Sequence, residues 1–133
     1  MSEFTTDLKV EPIDKTLWRL TEKFEYHIGC YPSDQLILVP VGFITDFASV
    51  PKLFWPIIAP NGKHGKAAVI HDYCYATGCC SKTKSDKIFL EGMEILKVKQ
   101  WKREVIYWSV FIFGWGPWYK HRYRNKKREH NKK

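Results

Sequence analysis

The sequence predicts an α+β fold: a small N-terminal antiparallel sheet, a central packed loop, then about three C-terminal helices. Three observations predict it. The first third carries short, partly alternating apolar runs broken by turn residues. The segment from Pro40 to Pro60 is apolar but interrupted by Gly42, Pro51, Pro56 and Pro60, which excludes long regular elements. From Gly65 onward the apolar residues follow helical spacing, with glycines at the stops.

The strands come first. Leu8–Val10 is short and extended, and Glu11-Pro12 and Asp14-Lys15 are turn signals. Leu17 to Ile28 partly alternates, as a half-buried strand does. Gly29 and Pro32-Ser33-Asp34 supply a turn, and Gln35 to Val39 is a further compact strand. The central loop is rich in Phe43, Phe47, Leu53, Phe54, Trp55, Ile57 and Ile58, with room for a short helix around Lys52–Ile58. Packed loops of this kind often shape sites.

The helices follow. Ala67 to Ala76 runs to Gly78, a natural C-terminal stop. Ser81 or Thr83 caps the next helix, which continues to about Leu96. Trp101 to Phe113 forms the third and ends at Gly114 and Gly116-Pro117. Its Val105–Trp115 stretch is apolar nearly all round, as expected of a core helix or of one at a membrane interface. No apolar run reaches the roughly 18 residues that a spanning helix needs.

Charge divides the chain into a globular part, residues 1–119, and a basic flexible tail, residues 120–133. The tail holds eight Lys and Arg against one Glu, a net of +7 out of the chain's +8. Such an end is either solvated or a handle for phosphate, on an anionic membrane surface or on nucleic acid. Lys120, Arg122, Arg124, Lys126, Lys127 and Arg128 would be that handle. A near-neutral body argues against a nucleic-acid-binding fold proper. The polar start, Ser2 to Asp7, has no signal-sequence pattern, so synthesis in a reducing cytoplasm with free thiols is expected.

The candidate chemistry lies in Ile70-His71-Asp72-Tyr73-Cys74-Tyr75. On a helix His71 shares a face with Ala67, Ala68, Cys74 and Tyr75, so it is partly buried and needs partners. Asp86 sits at helical spacing from Phe89, Leu90 and Met93, on an apolar face where a carboxylate needs a partner. A short turn at Cys79-Cys80 makes the two helices antiparallel, so Asp86 can reach His71. A histidine held on one nitrogen by a carboxylate can use the other to take a proton from water or to bind a metal. The same pair also serves as a plain structural hydrogen bond.

Asp72 points to a different sector, about 100° round the helix. Asp46 is a carboxylate in an apolar loop, where it and Thr45 serve either as a turn cap or as a site. The functional assignment makes His71 and Asp86 catalytic and gives Asp72 and Asp46 to a divalent cation such as calcium. Thr45 and Tyr75 are further site candidates. The spacing His71-x2-Cys74-x4-Cys79-Cys80 also contains zinc-ligand types, although an adjacent cysteine pair is unusual in a closed tetrahedral site. Cys74 itself reads as a packing residue on the helix face.

Val41-Gly42-Phe43-Ile44-Thr45-Asp46-Phe47-Ala48-Ser49-Val50-Pro51, Phe54-Trp55-Pro56, Gly65 to Gly78, Ser81 to Phe89 with Asp86, and Phe113-Gly114-Trp115 together resemble the family called domain of unknown function 1353. Members are small proteins of tailed phages and prophages. The likeness covers roughly residues 35–118; Cys74, Lys52 and Lys82 depart from the usual apolar residue, Arg and Arg. It implies a phage origin; with that origin, synthesis in the host cytoplasm, incorporation into the virion and other phage structural proteins as partners are the expectations carried forward. Separately, His71-Asp72-Tyr73-Cys74-Tyr75 resembles the His-Asp-x-Cys-Tyr helix of secreted phospholipases A2. There the His is the general base, the Asp binds calcium, and an Asp on an antiparallel helix orients the His. That calcium loop and disulfide framework have no counterpart here. Two functions follow as expectations. One is a metal-dependent hydrolase of the cell envelope, acting on a lipid ester or a cell-wall bond. The other is a non-enzymatic tail or neck component binding phage proteins or DNA.

Overall fold

The computed structural model describes residues 3–15, 17–28, 35–46 and 65–131, with side chains to residue 126. Six short strands precede four helices: β1 Glu3–Phe4, β2 Val10–Pro12, β3 Trp18–Leu20, β4 Phe24–His27, β5 Leu36–Val39 and β6 Ile44–Thr45, then α1 Gly65–Thr77, α2 Lys82–Ile95, α3 Gln100–Phe113 and α4 Trp115–Asn131. The α+β class is therefore as the sequence predicts. The central packed loop from Phe47 onward, with the short helix at Lys52–Ile58, lies outside the described residues.

The strands make two antiparallel sheets rather than one, ordered β1-β4-β5 and β2-β3-β6. The run Leu17–Ile28, expected as one strand, breaks at Thr21-Glu22. Its two halves join different sheets. The break is fixed by long-range bonds: Thr21 N–H donates to Lys9 C=O and Leu20 N–H to Phe43 C=O. Glu11-Pro12, expected as a turn, belongs to β2. Its proline is tolerated because β2 is an edge strand, where a missing N–H costs no ladder bond. The turn comes just after, where Asp14 Oδ1 accepts from Leu17 N–H at 2.9 Å.

The β4–β5 register sets Phe24 opposite Val39 and Tyr26 opposite Ile37. All four are buried, while Leu36 and Leu38 alternate outward. This face packs with Ala67, Ala68, Val69 and Ile70 of α1, Ile88, Phe89 and Met93 of α2, and Ile106 and Val110 of α3 in one core. Along the helical half, α1 packs on α2, α2 on α3, and α4 on α1 and α3.

Local chemistry sets the helix ends. Gly78 adopts φ +66, the left-handed conformation that glycine accepts without a Cβ penalty, and its N–H closes on Cys74 C=O. Ser81 caps α2, its hydroxyl accepting from Lys84 N–H at 3.1 Å. The fourth helix is the main difference from the sequence reading. Gly116-Pro117, expected as a stop, falls in the first turn of α4, where the N–H that proline lacks has no intrahelical acceptor. Residues 120–131, expected as a flexible tail, are the rest of that helix.

Candidate functional site

The α1–α2 corner brings four side chains into a buried polar network. His71 and Tyr75, one turn apart on α1, both reach Asp86 Oδ1 on α2: His71 Nε2 at 2.8 Å and the Tyr75 hydroxyl at 2.7 Å. Asp86 Oδ2 accepts from Lys82 Nζ at 2.7 Å, an i,i+4 pair along α2. The ammonium spends its other two donors on the C=O groups of Val110 (3.1 Å) and Phe111 (3.2 Å), at the end of α3. It lies over the Trp115 ring, 4.7 Å from the centroid. Asp86, His71 and Lys82 are 1%, 3% and 4% exposed, so every donor in this set needs the acceptor it has. Gly114 leaves the space: a Cβ there would stand 2.6 Å from the Tyr75 hydroxyl.

The electrostatics assign the protons. Burial raises the Asp86 carboxyl, but the hydrogen bonds from His71, Lys82 and Tyr75 outweigh it and hold Asp86 below the ordinary carboxylate range. Burial lowers His71, against the pull of Asp86, so the imidazole is neutral. Burial and the nearby Asp86 carboxylate push the Tyr75 phenol up. An ionised carboxylate only accepts, so the imidazole proton is assigned to Nε2 and Nδ1 carries a lone pair. That Nδ1 is buried and has no hydrogen-bond partner among the described residues. The ring is held between Tyr75 and Phe89, at 4.1 and 4.7 Å between centroids.

Asp72 faces this bare nitrogen, with Oδ1 4.0 Å from His71 Nδ1. Its other oxygen, Oδ2, accepts from the Thr45 hydroxyl and from Asp46 N–H, the latter at 3.2 Å. Asp72 thus ties α1 to the end of β6, and Thr45 is buried in doing so. The structure therefore gathers His71, Asp86, Tyr75, Asp72 and Thr45 around one ring. Asp46 lies near enough for its charge to act on both His71 and His121 of α4.

A divalent cation on Asp72 and Asp46 finds a thin donor set. One Asp72 oxygen is already engaged by two donors. Among the described residues, the His, Cys, Asp and Glu ligand atoms that gather in threes within 4.8 Å are the sulfurs of Cys74, Cys79 and Cys80, and not these carboxylates. Calcium wants six or more oxygens. Among the described residues the donor set falls short of what calcium needs, and no step is derived through such an ion.

The anionic-partner residues divide. Lys120, Arg124 and Lys126 are exposed on α4, whereas Arg122 is half-buried and donates to Tyr75 C=O. The side chains of Lys127 and Arg128 lie outside the described residues. Lys82 went unremarked as a site residue in the sequence, although an i,i+4 pair with Asp86 on an apolar face was the available signal.

The folded-state pKa of His71 is lowered, as is that of His121, which burial lowers first and then Arg124, Arg122 and Lys120. Below the unfolded value of about 6.5 the unfolded chain binds the extra proton. Stability from these groups is full above that pH and falls as pH drops toward the folded values, by up to about 1.4 kcal/mol per pH unit for each group. Urea midpoints should fall between pH 7.5 and pH 5.5, and His71→Gln should flatten the profile, leaving the His121 share. A profile unchanged by His71→Gln would remove His71 from the account.

The fold and site define a small α+β protein organised round a buried His–Asp–Lys–Tyr network. The chain belongs to the family described as protein of unknown function (DUF1353), whose model matches residues 18–110. It is similar to a protein of Sinorhizobium fredii (strain NBRC 101917 / NGR234) described as uncharacterized protein y4jT, with 38% identity over 78 residues. Those residues are 57% of this chain and 23% of that protein, so the chain spans under a quarter of its relative's length. No solved structure matches.

Proposed function

We propose that His71 is the general base of a hydrolase acting on the cell envelope, on a lipid ester or a cell-wall bond. The buried Nδ1 of His71, without a hydrogen-bond partner among the described residues, carries this reading, because its ring is fixed from behind by Asp86 and faces Asp72 in front. A gap of 4.0 Å suits one water donating to both Nδ1 and Asp72 Oδ1 through bonds of about 2.8 Å. Nδ1 takes a proton from that water, the oxygen adds to the substrate's electrophilic centre, and the proton passes to the leaving group. Asp86 and Asp72 stabilise the imidazolium in between. The arrangement parallels what the phospholipase A2 resemblance implies for base and orienting carboxylate, without the cation. Tailed-phage origin, which the family resemblance implies, supplies the envelope as target.

The test is hydrolysis of anionic phospholipid vesicles and of peptidoglycan by the wild-type chain and by His71→Gln. General-base catalysis is typically worth about 10²–10⁴-fold, so a loss of that size with the fold intact is expected. Equal hydrolysis by both proteins rejects the proposal.

A second reading, a non-enzymatic virion component of tail or neck, is favoured by the face around the α3–α4 junction. Trp108, Ile112, Phe113, Trp115 and Tyr119 are exposed there, beside the cations of α4. Phage proteins or packaged DNA would be its partners. No helix among the described residues is long and apolar enough to cross a membrane. A fixed copy number in purified particles, with His71→Gln particles fully infective, supports this reading over the first.

A further inference from the structure

We propose that Cys74, Cys79 and Cys80 form a three-thiolate site for a borderline or soft divalent cation of the zinc class, with its fourth position open to water. The site owes nothing to the His71 chemistry, because His71 commits Nε2 to Asp86 and does not join the sulfurs.

Chain geometry creates the cluster. Cys74 sits in the last turn of α1. Gly78, at φ +66 with its N–H on Cys74 C=O, reverses the chain. The reversal carries Cys79 and Cys80 back over that turn, against Cys74. The three sulfurs lie within 4.8 Å of one another. In a tetrahedral zinc–thiolate site, with Zn–S near 2.3 Å, neighbouring sulfurs stand about 3.8 Å apart. Small side-chain rotations therefore close the cage without moving the backbone. All three are free thiols, graded from buried Cys74 through half-buried Cys80 to exposed Cys79. The exposed side gives a cation its entry and a water its place.

The electrostatics favour the ligand form. Cys79 and Cys80 immediately precede Ser81, the N-cap of α2, where the helix dipole favours negative charge. Arg122 stands beside Gly78, close enough that a Cβ there would meet its guanidinium. The Ser85 hydroxyl is 3.3 Å from Cys80 Sγ and supplies an outer partner for that sulfur. Binding of a divalent cation by three thiolates leaves a complex of charge −1, and each sulfur still protonated releases its proton to solvent. Affinity therefore rises with pH.

The test uses the full chain, reduced and stripped of metal, titrated with Cd²⁺ and then competed with Zn²⁺. One Cd²⁺ per chain is expected, with an ultraviolet thiolate-to-cadmium absorption, displacement by Zn²⁺ and a raised urea midpoint. Cys79→Ser and Cys80→Ser, both reaching solvent, should each weaken binding at least about tenfold and lose about a third of the absorption, one Cd–S bond in three. The far-ultraviolet circular dichroism of each variant reports that it folds. An unaltered absorption in the Cys79→Ser/Cys80→Ser double variant overturns the proposal, as does a folded, fully reduced wild-type chain that takes up no cadmium. So does a cysteine pair that reoxidises to a disulfide in the presence of excess Zn²⁺.

Discussion

Asp86→Ala is expected to destabilise the protein by about 3–5 kcal/mol, the cost of leaving one charge of a buried ion pair uncompensated. Lys82 is 4% exposed and its ammonium would keep only the two α3 carbonyls. His71 Nε2–H and the Tyr75 hydroxyl would lose their shared acceptor in the same step. Asp86→Asn is expected to cost nearly as much despite its matching shape. An amide offers one oxygen and no charge to Lys82, and its NH₂ would force the His71–Tyr75 pair, now donors, to turn round and accept. The charge and the shape can be separated. Asp86→Leu with Lys82→Met removes both charges together, and buried pairs are often replaced by apolar groups at little cost. The double variant should therefore recover much of the loss, short of the donors left on His71 and Tyr75, at about 1–3 kcal/mol each. Urea unfolding of the four proteins decides it. An Asp86→Ala loss below about 1 kcal/mol would mean that the pair behaves as a solvent-exposed one and not as a buried ion pair.

The same network shows how far a sequence can be read. Asp86 was legible because a carboxylate at helical spacing from Phe89, Leu90 and Met93 must find a partner, and His71 was the donor one short turn away. The turn itself was legible in Gly78 and Ser81, whose backbone preferences act locally. The division of Leu17–Ile28 between two sheets was not. It depends on Thr21 meeting Lys9 and Leu20 meeting Phe43, and alternation of side chains carries no information about which neighbour a strand finds. Strand β6, two residues long, is shorter than any periodicity. The Asp72–Thr45 tie escaped for a related reason: short polar residues at a strand end look alike whether they cap a turn or hold a helix.

The least legible element was α4, and it carries the other large effect. Arg122→Ala with Asn125→Ala is expected to cost about 2–4 kcal/mol, summing a charge-assisted and a neutral hydrogen bond. The last C=O groups of α1 have no intrahelical donors. Arg122 Nη2 reaches Tyr75 C=O at 2.5 Å and Asn125 Nδ2 reaches Ala76 C=O at 3.0 Å. A cation at a helix C-terminus also complements the dipole, and the Arg122 guanidinium lies 4.4 Å over the Trp118 ring. In sequence these two residues disappear into a basic run, because a backbone carbonyl leaves no mark on composition. The control removes more charge from the same helix: Lys120→Ala with Arg124→Ala deletes two exposed cations and should change stability by no more than about 0.5 kcal/mol per site. A solvated tail predicts no loss from either pair. A docked helix predicts loss from the first alone, and because Arg122 holds the carbonyl of Tyr75, that loss should extend to the Tyr75–Asp86 hydrogen bond. On the proposal that the cations of α4 meet an anionic surface, vesicle binding should divide the opposite way, weakened more by losing Lys120 and Arg124 than by losing Arg122, whose charge is already engaged within the fold.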